Sequence, residues 1–286
     1  MKRWSTSALT TLQMCGEIFR RRYIEGDRMP GGTTMKRGLA VDKAVTESLA
    51  AKKATGEQPI PEANKDIAAD EFERSWSEGV WFSPDERKED PKKIKAATKD
   101  TAVDLAGLHA RTLGREIRPV EIQHKVEIQP TGTDLTIIGY MDIIDLSADP
   151  LFGVQKIGSF PSQPVEVIRD TKTKEKAPNQ ADADESQQLT MYALLRMAET
   201  GRMPDALSLD VLWKTPAKGD LKHVVLPTRR TKADFGPLVG RINEGIRAVE
   251  RGVFIPASEG HWKCSARWCE YWETCPYVRH PESIQV

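Results

Sequence analysis

The stretch from Leu135 to Leu195 constrains the fold more than any other part of the sequence. It contains two apolar, β-branched runs of strand length, one leading to Asp142 and the other to Asp170. A third segment in this stretch has apolar residues at helical spacing. Two strands followed by a helix suit an α/β fold.

Strand geometry predicts that two acidic side chains of this stretch lie close together. Asp170 and Lys172 are two residues apart, so their side chains share a face and lie roughly 6.6 Å apart along the strand. If the strand of Asp142 pairs beside this one at roughly 4.8 Å, its carboxylate can share one hard cation with Asp170. Glu166 shares the face but lies roughly 13 Å from Asp170 along the strand, so it is not expected to bind the same ion.

An acidic residue two positions before a lysine carries little information by itself. The chain has four such pairs: Glu86 and Lys88, Asp90 and Lys92, Asp170 and Lys172, and Asp220 and Lys222. Only the third follows an apolar strand that itself follows a strand with the pattern Gly139-x-x-Asp142. Taken alone it would usually be a solvated strand end, and a Gln188-x-x-x-Tyr192 pattern alone would usually be a partly exposed helix face. The joint occurrence of the three motifs in this order favours a functional site.

These three motifs resemble those of the RecB-like branch of the PD-(D/E)XK nucleases, which run in the same order. The resemblance implies an α/β fold with a PD-(D/E)XK restriction-endonuclease-like core, in which a mixed central β-sheet is flanked by helices. It also implies metal-dependent hydrolysis of DNA phosphodiesters. Asp142 and Asp170 would hold Mg²⁺ or Mn²⁺, and Lys172 would stabilise the developing negative charge and orient the attacking water. Gln188 and Tyr192 would position the DNA strand near the scissile bond.

A further motif of the family is altered in this sequence. The segment Gly38-x-x-x-Asp42 resembles the Gly-x-x-x-His element of RecB-like nucleases, with Asp42 in the place of the metal-binding His. A carboxylate also binds Mg²⁺ or Mn²⁺, so Asp42 is predicted as a third metal ligand. A surface Asp on a helix is the alternative.

The cysteines suggest a second metal centre. All four fall into a pattern of one N-terminal residue and three C-terminal residues, namely Cys15, Cys264, Cys269 and Cys275. Disulfides are disfavoured in the cytoplasm, so four grouped thiols suggest metal binding. The arrangement resembles the iron–sulfur staple of AddB-type nucleases, which implies a 4Fe–4S cluster that ties the first helix to the end of the chain. A structural Zn²⁺ or unligated thiols are the alternatives.

The charge balance limits how the protein can bind DNA. The 42 basic and 42 acidic residues cancel, so DNA affinity must come from local patches rather than from the overall field. The chain lacks a phosphate-cradling P-loop, so any ATP-driven unwinding would come from a helicase or recombination partner. No signal peptide or membrane span is evident, which predicts a cytoplasmic protein that does not bind membranes.

The length fits one large domain. We expect a single nuclease domain over residues 1–286, with a helical insertion at 52–116 and a cysteine segment at 253–286 that closes on Cys15. One long first helix should begin near Ser5 and carry both Cys15 and Tyr23. Residues 145–163 are expected to form an insertion between two strands, with Lys156 and Phe160 near the mouth of the active site.

The function predicted from the sequence is that of a Mg²⁺- or Mn²⁺-dependent DNA exonuclease, acting on single- or double-stranded ends in recombination or repair. A non-catalytic DNA-binding or scaffolding protein with the same fold is one alternative, which the altered Asp42 supports. The intact Asp142, Asp170 and Lys172 argue against it. A structure-selective endonuclease of the same superfamily is the other alternative.

Overall fold

Six strands form one mixed sheet in the computed structural model, which describes residues 3–130, 135–152, 163–215 and 218–279. The strands are β1 (Arg3–Ser5), β2 (Pro119–Ile128), β3 (Thr136–Ser147), β4 (Val165–Lys174), β5 (Ala206–Lys214) and β6 (Leu221–Thr228). The sheet contains parallel and antiparallel pairs, and helices flank it, so the predicted α/β fold is confirmed.

Strand β3 is the longest strand and connects the two halves of the sheet. Along one side it pairs antiparallel with β2. On its other side it pairs first with β1, in parallel over Thr136–Ile138, and then with β4, antiparallel over Ile143–Ser147. Between these two partners, residues 139–142 have no strand beside them on that side, as far as the described residues go. This gap contains the Gly139-x-x-Asp142 motif.

The rest of the sheet follows from β4. Strand β5 pairs in parallel with β4, and β6 pairs antiparallel with β5 at the edge. Every residue of β5 from Ala206 to Trp213 is buried, as expected for a strand covered on both faces.

Helices flank the sheet, and two large apolar cores join them to it. The helices are α1 (Thr6–Met14), α2 (Gly16–Phe19), α3 (Thr33–Thr55), α4 (Pro61–Ser77), α5 (Pro91–Arg111), α6 (Leu113–Glu116), α7 (Ala181–Asp184), α8 (Gln187–Thr200) and α9 (Phe235–Glu250). The first core joins the sheet to α1, α8 and α9 through residues such as Trp4, Leu195 and Ile242. The second joins it to α3, α4 and α5 through residues such as Phe72 and Leu105.

Most of the segment at 52–116 is helical. It contains the end of α3 and the whole of α4, α5 and α6. Proline stands at the start of both α4 and α5, where its missing N–H is not needed, and the Asp90 side chain caps α5 by accepting from the Lys92 N–H at 2.9 Å. The description of this segment as an insertion within one domain stays a prediction.

The first helix differs from the sequence prediction. It begins as expected, with the Ser5 hydroxyl accepting from the Ala8 N–H at 3.2 Å, but it ends at Met14. Cys15 is extended, with φ −162° and ψ 111°, and the chain resumes as α2 and then as a π-helix, Arg20–Glu25. The break has a long-range cause, because the Gly16 N–H donates to the Ile255 carbonyl at 2.7 Å. The C-terminal segment therefore interrupts the predicted helix.

The insertion expected at 145–163 lies only in part within the described residues. Strand β3 continues to Ser147, two residues beyond the expected start of the 145–163 insertion, and a 3₁₀ turn follows at Pro150–Phe152. Lys156 and Phe160, which were expected near the active site, lie outside the described residues. Across the parts of the chain that the structure describes, no helix has the length and apolar character needed to cross a membrane.

Candidate active site

Asp142 and Asp170 meet where β3 and β4 separate. The pairing of these strands ends at Ile143 with Arg169, and continuing the same register would place Asp142 opposite Asp170. At this point the Thr171 N–H donates to the Asp142 carboxylate at 3.4 Å instead of to a backbone carbonyl of β3. The strand arrangement that the sequence suggested is present, and it brings the two carboxylates to the same end of the pair.

The other motif residues form one hydrogen-bond network around Asp170. The Lys172 ammonium donates to Asp170 Oδ1 at 2.8 Å, and the Gln188 amide of α8 donates to the same oxygen at 3.0 Å. The Gln188 amide also donates to the Tyr192 hydroxyl oxygen at 2.5 Å. We call Asp142, Asp170, Lys172, Gln188 and Tyr192 together the strand site.

One oxygen of the strand site has no protein partner. Asp170 is 1% exposed, and its Oδ2 atom is buried without a hydrogen bond to any described residue. Buried carboxylate oxygens are normally paired, because leaving one unpaired is energetically unfavourable. The orphaned oxygen marks the place where a cation or a water would complete the site.

The electrostatics of the strand site favour binding a cation. Burial raises the pKa of Asp142, and the neighbouring charge of Asp170 raises it further, although Lys172 opposes both. Burial alone would lower the pKa of Lys172, but the charges of Asp170 and Asp142 outweigh it and raise that pKa. Burial and Asp170 raise the pKa of Tyr192, so its hydroxyl remains protonated. One ammonium therefore faces more than one carboxylate, and a divalent ion would relieve the excess negative charge.

Asp42 of helix α3 faces a cavity that is also lined by residues of the strand site. Together with Gln123, Asp142 and Lys172, it lines a cavity of about 390 Å³ that opens to solvent. Burial raises the pKa of Asp42, and Asp170 raises it further while Lys172 opposes the shift. The structure therefore brings the predicted third ligand to the cavity of the strand site.

The carboxylates of Asp142, Asp170 and Asp42 suit a divalent ion that keeps several water ligands, rather than an ion coordinated by protein side chains alone. Hard carboxylate oxygens suit Mg²⁺ and Mn²⁺, and the Asp170 carboxylate, whose Oδ2 is unpartnered, neighbours that of Asp142. Within the described ranges, no group of three or more His, Cys, Asp or Glu side chains has the geometry to hold an ion. Two carboxylates with water and a phosphate completing the shell is a common arrangement for Mg²⁺.

A family model matches almost the entire chain. The model of the PD-(D/E)XK nuclease superfamily matches residues 3–276. The chain belongs to this superfamily. Membership implies a metal-dependent nuclease with DNA as its substrate, which agrees with the acidic cavity and the strand motifs.

The other comparisons add little to this result. No curated protein matches the chain. The crystal structure of SSO0001 is similar, with 14% sequence identity and a TM-score of 0.36, over 82% of this chain and 84% of that one. At these values the likeness carries no argument about fold or function.

Glu166 of the nuclease lies outside the strand site, as the strand geometry predicted. It accepts from the Arg196 guanidinium at 3.0 Å through Oε1 and at 2.5 Å through Oε2. Its carboxylate is thus paired with α8 rather than with the cavity.

The glycine of the Gly139-x-x-Asp142 motif has a steric role that sequence reasoning missed. A Cβ atom at Gly139 would lie 2.3 Å from Leu195 Cδ1. Leu195 is fully buried on α8, so it has little room to move away. Glycine in the gap beside β3 lets α8 pack against the strand, and α8 carries Gln188 and Tyr192. The small residue therefore helps to set the position of the network.

A buried ion cluster beside the strand site was also missed. Arg169, next to Asp170 in the strand, binds Asp145 at 2.8 Å and Asp210 at 3.0 Å. The Ser208 hydroxyl donates to Asp210 at 2.8 Å and completes the cluster. The signal was an arginine inside an apolar strand, which requires a buried partner. This cluster connects β3, β4 and β5 beneath the carboxylates.

The four cysteines, Cys15, Cys264, Cys269 and Cys275, line one small cavity, which we call the cysteine cavity. None of them is in a disulfide. Burial raises the pKa of Cys264, and the three other cysteines raise it further. The predicted convergence of one N-terminal and three C-terminal cysteines is therefore present.

The spacing of these thiols is not that of a formed metal centre. They are not among the groups able to hold an ion, since the described residues contain no such group. As a donor set, four thiols around one cavity would suit a 4Fe–4S cluster or Zn²⁺. The structure thus supports their proximity and does not support the cluster itself.

Polar contacts hold the cysteine segment against the N-terminal part of the chain. The Arg21 guanidinium donates to the Thr274 hydroxyl at 2.8 Å and to the Thr274 carbonyl at 2.7 Å. Arg22 forms an ion pair with Glu270, and the Ala257 N–H donates to Cys15 Sγ at 3.4 Å. These contacts connect the cysteine segment to residues 15–22.

Proposed function

We propose that this nuclease is a Mg²⁺- or Mn²⁺-dependent DNA exonuclease of the RecB-like type, which acts on DNA ends in recombination or repair. One observation carries the metal assignment: the neighbouring carboxylates of Asp142 and Asp170 are buried, and Oδ2 of Asp170 has no hydrogen bond to any described residue. The Gln188 and Tyr192 network on α8 supports the RecB-like assignment, because this branch of the superfamily is characterised by that helix motif.

In this proposal Asp142 and Asp170 are the metal ligands, and Asp42 binds the same ion from α3. The ion supplies Lewis acidity toward the phosphate and makes hydroxide available near neutral pH. Lys172 keeps its charge beside Asp170, so it can stabilise the negative charge that develops on the phosphate.

Gln188 and Tyr192 act as positioning residues. The Gln188 amide donates both to Asp170 and to the Tyr192 hydroxyl oxygen, so it fixes the distance between the strand carboxylate and α8. The protonated Tyr192 hydroxyl can in turn donate to a phosphate oxygen of the bound strand. Both side chains would hold the DNA in line with the carboxylates.

We further propose that the cysteine cavity holds a 4Fe–4S cluster, with Zn²⁺ as the alternative, and that this group is structural. The support is the convergence of four thiols on one cavity. We also propose a helicase or recombination partner, because the sequence has no P-loop of its own with which to unwind DNA.

The experiment that tests the function uses anaerobically purified protein and end-labelled DNA. Linear and closed circular substrates, each single- and double-stranded, are incubated with Mg²⁺, with Mn²⁺ or with EDTA. An exonuclease degrades linear DNA in the presence of either metal and leaves closed circles intact. The Asp170→Asn protein is the control for a contaminating nuclease.

Two other outcomes would replace the proposal. Cleavage of closed circles or of branched junctions would identify a structure-selective endonuclease. DNA binding without cleavage in any metal would identify a scaffolding protein, an alternative favoured by the lack of a three-ligand group among the described residues. In either case the fold and the family assignment would stand.

A further inference from the structure

Gln123 has an unusual backbone conformation in the middle of strand β2. Its φ is 49°, and it is the one residue other than glycine with a positive φ in the described parts of the chain. Side chains disfavour this region because Cβ approaches the backbone, and non-glycine residues held there concentrate at functional sites. Gln123 lies within a strand, so neither a turn nor a helix cap accounts for its φ, and the register shift of β2 lies before it, between Pro119 and Glu121.

The strained residue lies opposite Asp142. In the register between β2 and β3, Ile122 pairs with Ile143 and His124 pairs with Met141. Gln123 therefore faces Asp142 across the strand pair. Its side chain lines the same cavity as Asp42 and Asp142.

The side chain of Gln123 is also tied to α3. Its amide donates to the Thr46 hydroxyl at 3.4 Å, which is a long hydrogen bond. Thr46 lies one helical turn after Asp42, so the two side chains share one face of α3. The Gln123 carboxamide thus lies in the cavity between the helix that carries Asp42 and the strand that carries Asp142.

Local packing does not account for the strain. Gln123 is only half-buried, and its one side-chain hydrogen bond is long. A half-buried side chain with a long hydrogen bond contributes little to offset the free-energy cost of the positive φ. The compensation is therefore expected from a group that binds in the cavity, as is common where strained residues belong to a site.

We propose that Gln123 is a further residue of the metal site, whose carboxamide binds the divalent ion or its water between Asp42 and Asp142. This inference rests on the proposed function. The amide carbonyl is a hard, neutral oxygen donor, which suits Mg²⁺ and Mn²⁺. A neutral ligand adds coordination without adding negative charge to three neighbouring carboxylates.

The test compares Gln123→Gly with a matched substitution, Lys125→Gly, on the same strand. Each protein is examined by thermal unfolding without metal, by calorimetric titration with Mn²⁺, and by cleavage of linear DNA. Glycine relieves the strain at position 123, so Gln123→Gly should raise Tm by about 2 °C or more. The same variant should bind Mn²⁺ and cleave DNA about tenfold more weakly, because one polar ligand is lost. Lys125→Gly should lower Tm, since its backbone is unstrained, and should leave Mn²⁺ binding unchanged.

Either of two results for Gln123→Gly would overturn the proposal. Unchanged Mn²⁺ affinity, or a lower Tm with activity falling in proportion, would make Gln123 a structural residue. Gln123→Glu provides an independent check, because a carboxylate at this position should tighten Mn²⁺ binding if the side chain reaches the ion. The Mn²⁺ titration decides the role of Gln123 even if the wild-type protein cleaves no DNA, which would refute the proposed function alone.

Discussion

The strand site and the cysteine cavity differ in what positions their side chains. In the strand site, the residues lie on two neighbouring strands and one helix, and Lys172 and Gln188 both bond directly to Asp170. In the cysteine cavity, three of the four cysteines belong to the C-terminal segment, whose described part, 253–279, has no regular element longer than the 3₁₀ turn Trp272–Thr274. Strand pairing and helix packing preform the first region, whereas contacts from outside the cavity hold the second.

This difference indicates where a bound metal would matter for stability. Exposed ion pairs such as Arg87 with Glu273 contribute little, about 0–1 kcal/mol each. A metal bound by four thiols would add far more, because its binding free energy is coupled to folding. We therefore expect metal in the strand site to control chemistry, and metal in the cysteine cavity to control stability.

The largest effect should follow from removing a carboxylate of the strand site. Asp170→Asn should lower cleavage by about 10³-fold or more, because the ion loses its charged ligand. DNA binding should remain measurable, since the DNA-binding surface is unchanged. Gel-based cleavage and binding assays measure both quantities.

Glu166→Gln is the matched control, because Glu166 lies on the same strand but is paired with Arg196. Its cleavage should stay within about twofold of the wild type, since Glu166 does not line the cavity and a neutral amide can still accept a hydrogen bond from Arg196. Full cleavage by Asp170→Asn in excess metal would show that the strand site is not the catalytic centre.

The second effect concerns the cysteine cavity. Cys15→Ser should remove the metal from the anaerobically purified protein and lower Tm by about 10 °C, because a structural metal contributes several kcal/mol to folding. Cleavage per folded molecule should change little. Iron, sulfide and zinc analyses, with calorimetric scans, measure these properties.

Wild-type protein stripped by a chelator separates metal loss from lost packing. If the metal is responsible, stripped wild type and Cys15→Ser should unfold at the same temperature. Metal-free wild type with four accessible thiols and an unchanged Tm in the variant would remove the metal centre from the proposal.

The strand site could be predicted because its residues follow short-range rules. Strand periodicity places Asp170 and Lys172 on one face, and helical periodicity places Gln188 and Tyr192 one turn apart. Only the pairing of the Asp142 strand with the Asp170 strand had to be assumed, and the structure has that pairing. The order of the three motifs along the chain supported grouping these residues into one site.

The features that were missed depend on contacts between distant parts of the chain. Gly139 is required by Leu195, and the partners of Arg169 lie on two other strands. The helix break at Cys15 comes from the Ile255 carbonyl near the end of the chain. Sequence periodicity cannot report such contacts, because it describes one element at a time. The same limit applies to the φ of Gln123.

Acid should destabilise the fold through His109, a fully buried residue of helix α5. Burial lowers the pKa of this histidine to about 3, and the charge of Arg169 contributes. Its folded pKa is thus below the ordinary value of about 6.5. Below pH 6.5 the unfolded chain takes up a proton that the folded chain does not, so stability falls as the pH falls and the loss ends near pH 3.

His109→Gln removes this titration and keeps a neutral polar side chain. Between pH 6 and pH 4, the free energy of unfolding should fall less steeply in the variant, by up to about 1.4 kcal/mol per pH unit. Urea unfolding at several pH values measures the slope. Parallel slopes in the two proteins would show that His109 does not cause the acid sensitivity.

The smallest effect tests whether the packing of α8 on β3 positions the strand site. Gly139→Ala places a methyl group against Leu195, so it should lower the free energy of unfolding by about 1–3 kcal/mol. Cleavage should fall with it, since α8 carries Gln188 and Tyr192. Leu195→Ala opens the space, so the double variant should be more stable than the sum of the single effects predicts, with a coupling of about 1 kcal/mol or more.

Gly240→Ala in α9 is the control with the opposite sign. A Cβ there meets no atom within 4 Å, so alanine should stabilise the helix by about 0.5–1 kcal/mol and leave cleavage unchanged. Additive effects of Gly139→Ala and Leu195→Ala would mean that this contact does not hold α8. The strand site would then be positioned by its own hydrogen bonds, as the cysteine cavity is by its surface contacts, and the contrast between the two regions would be smaller than the structure indicates.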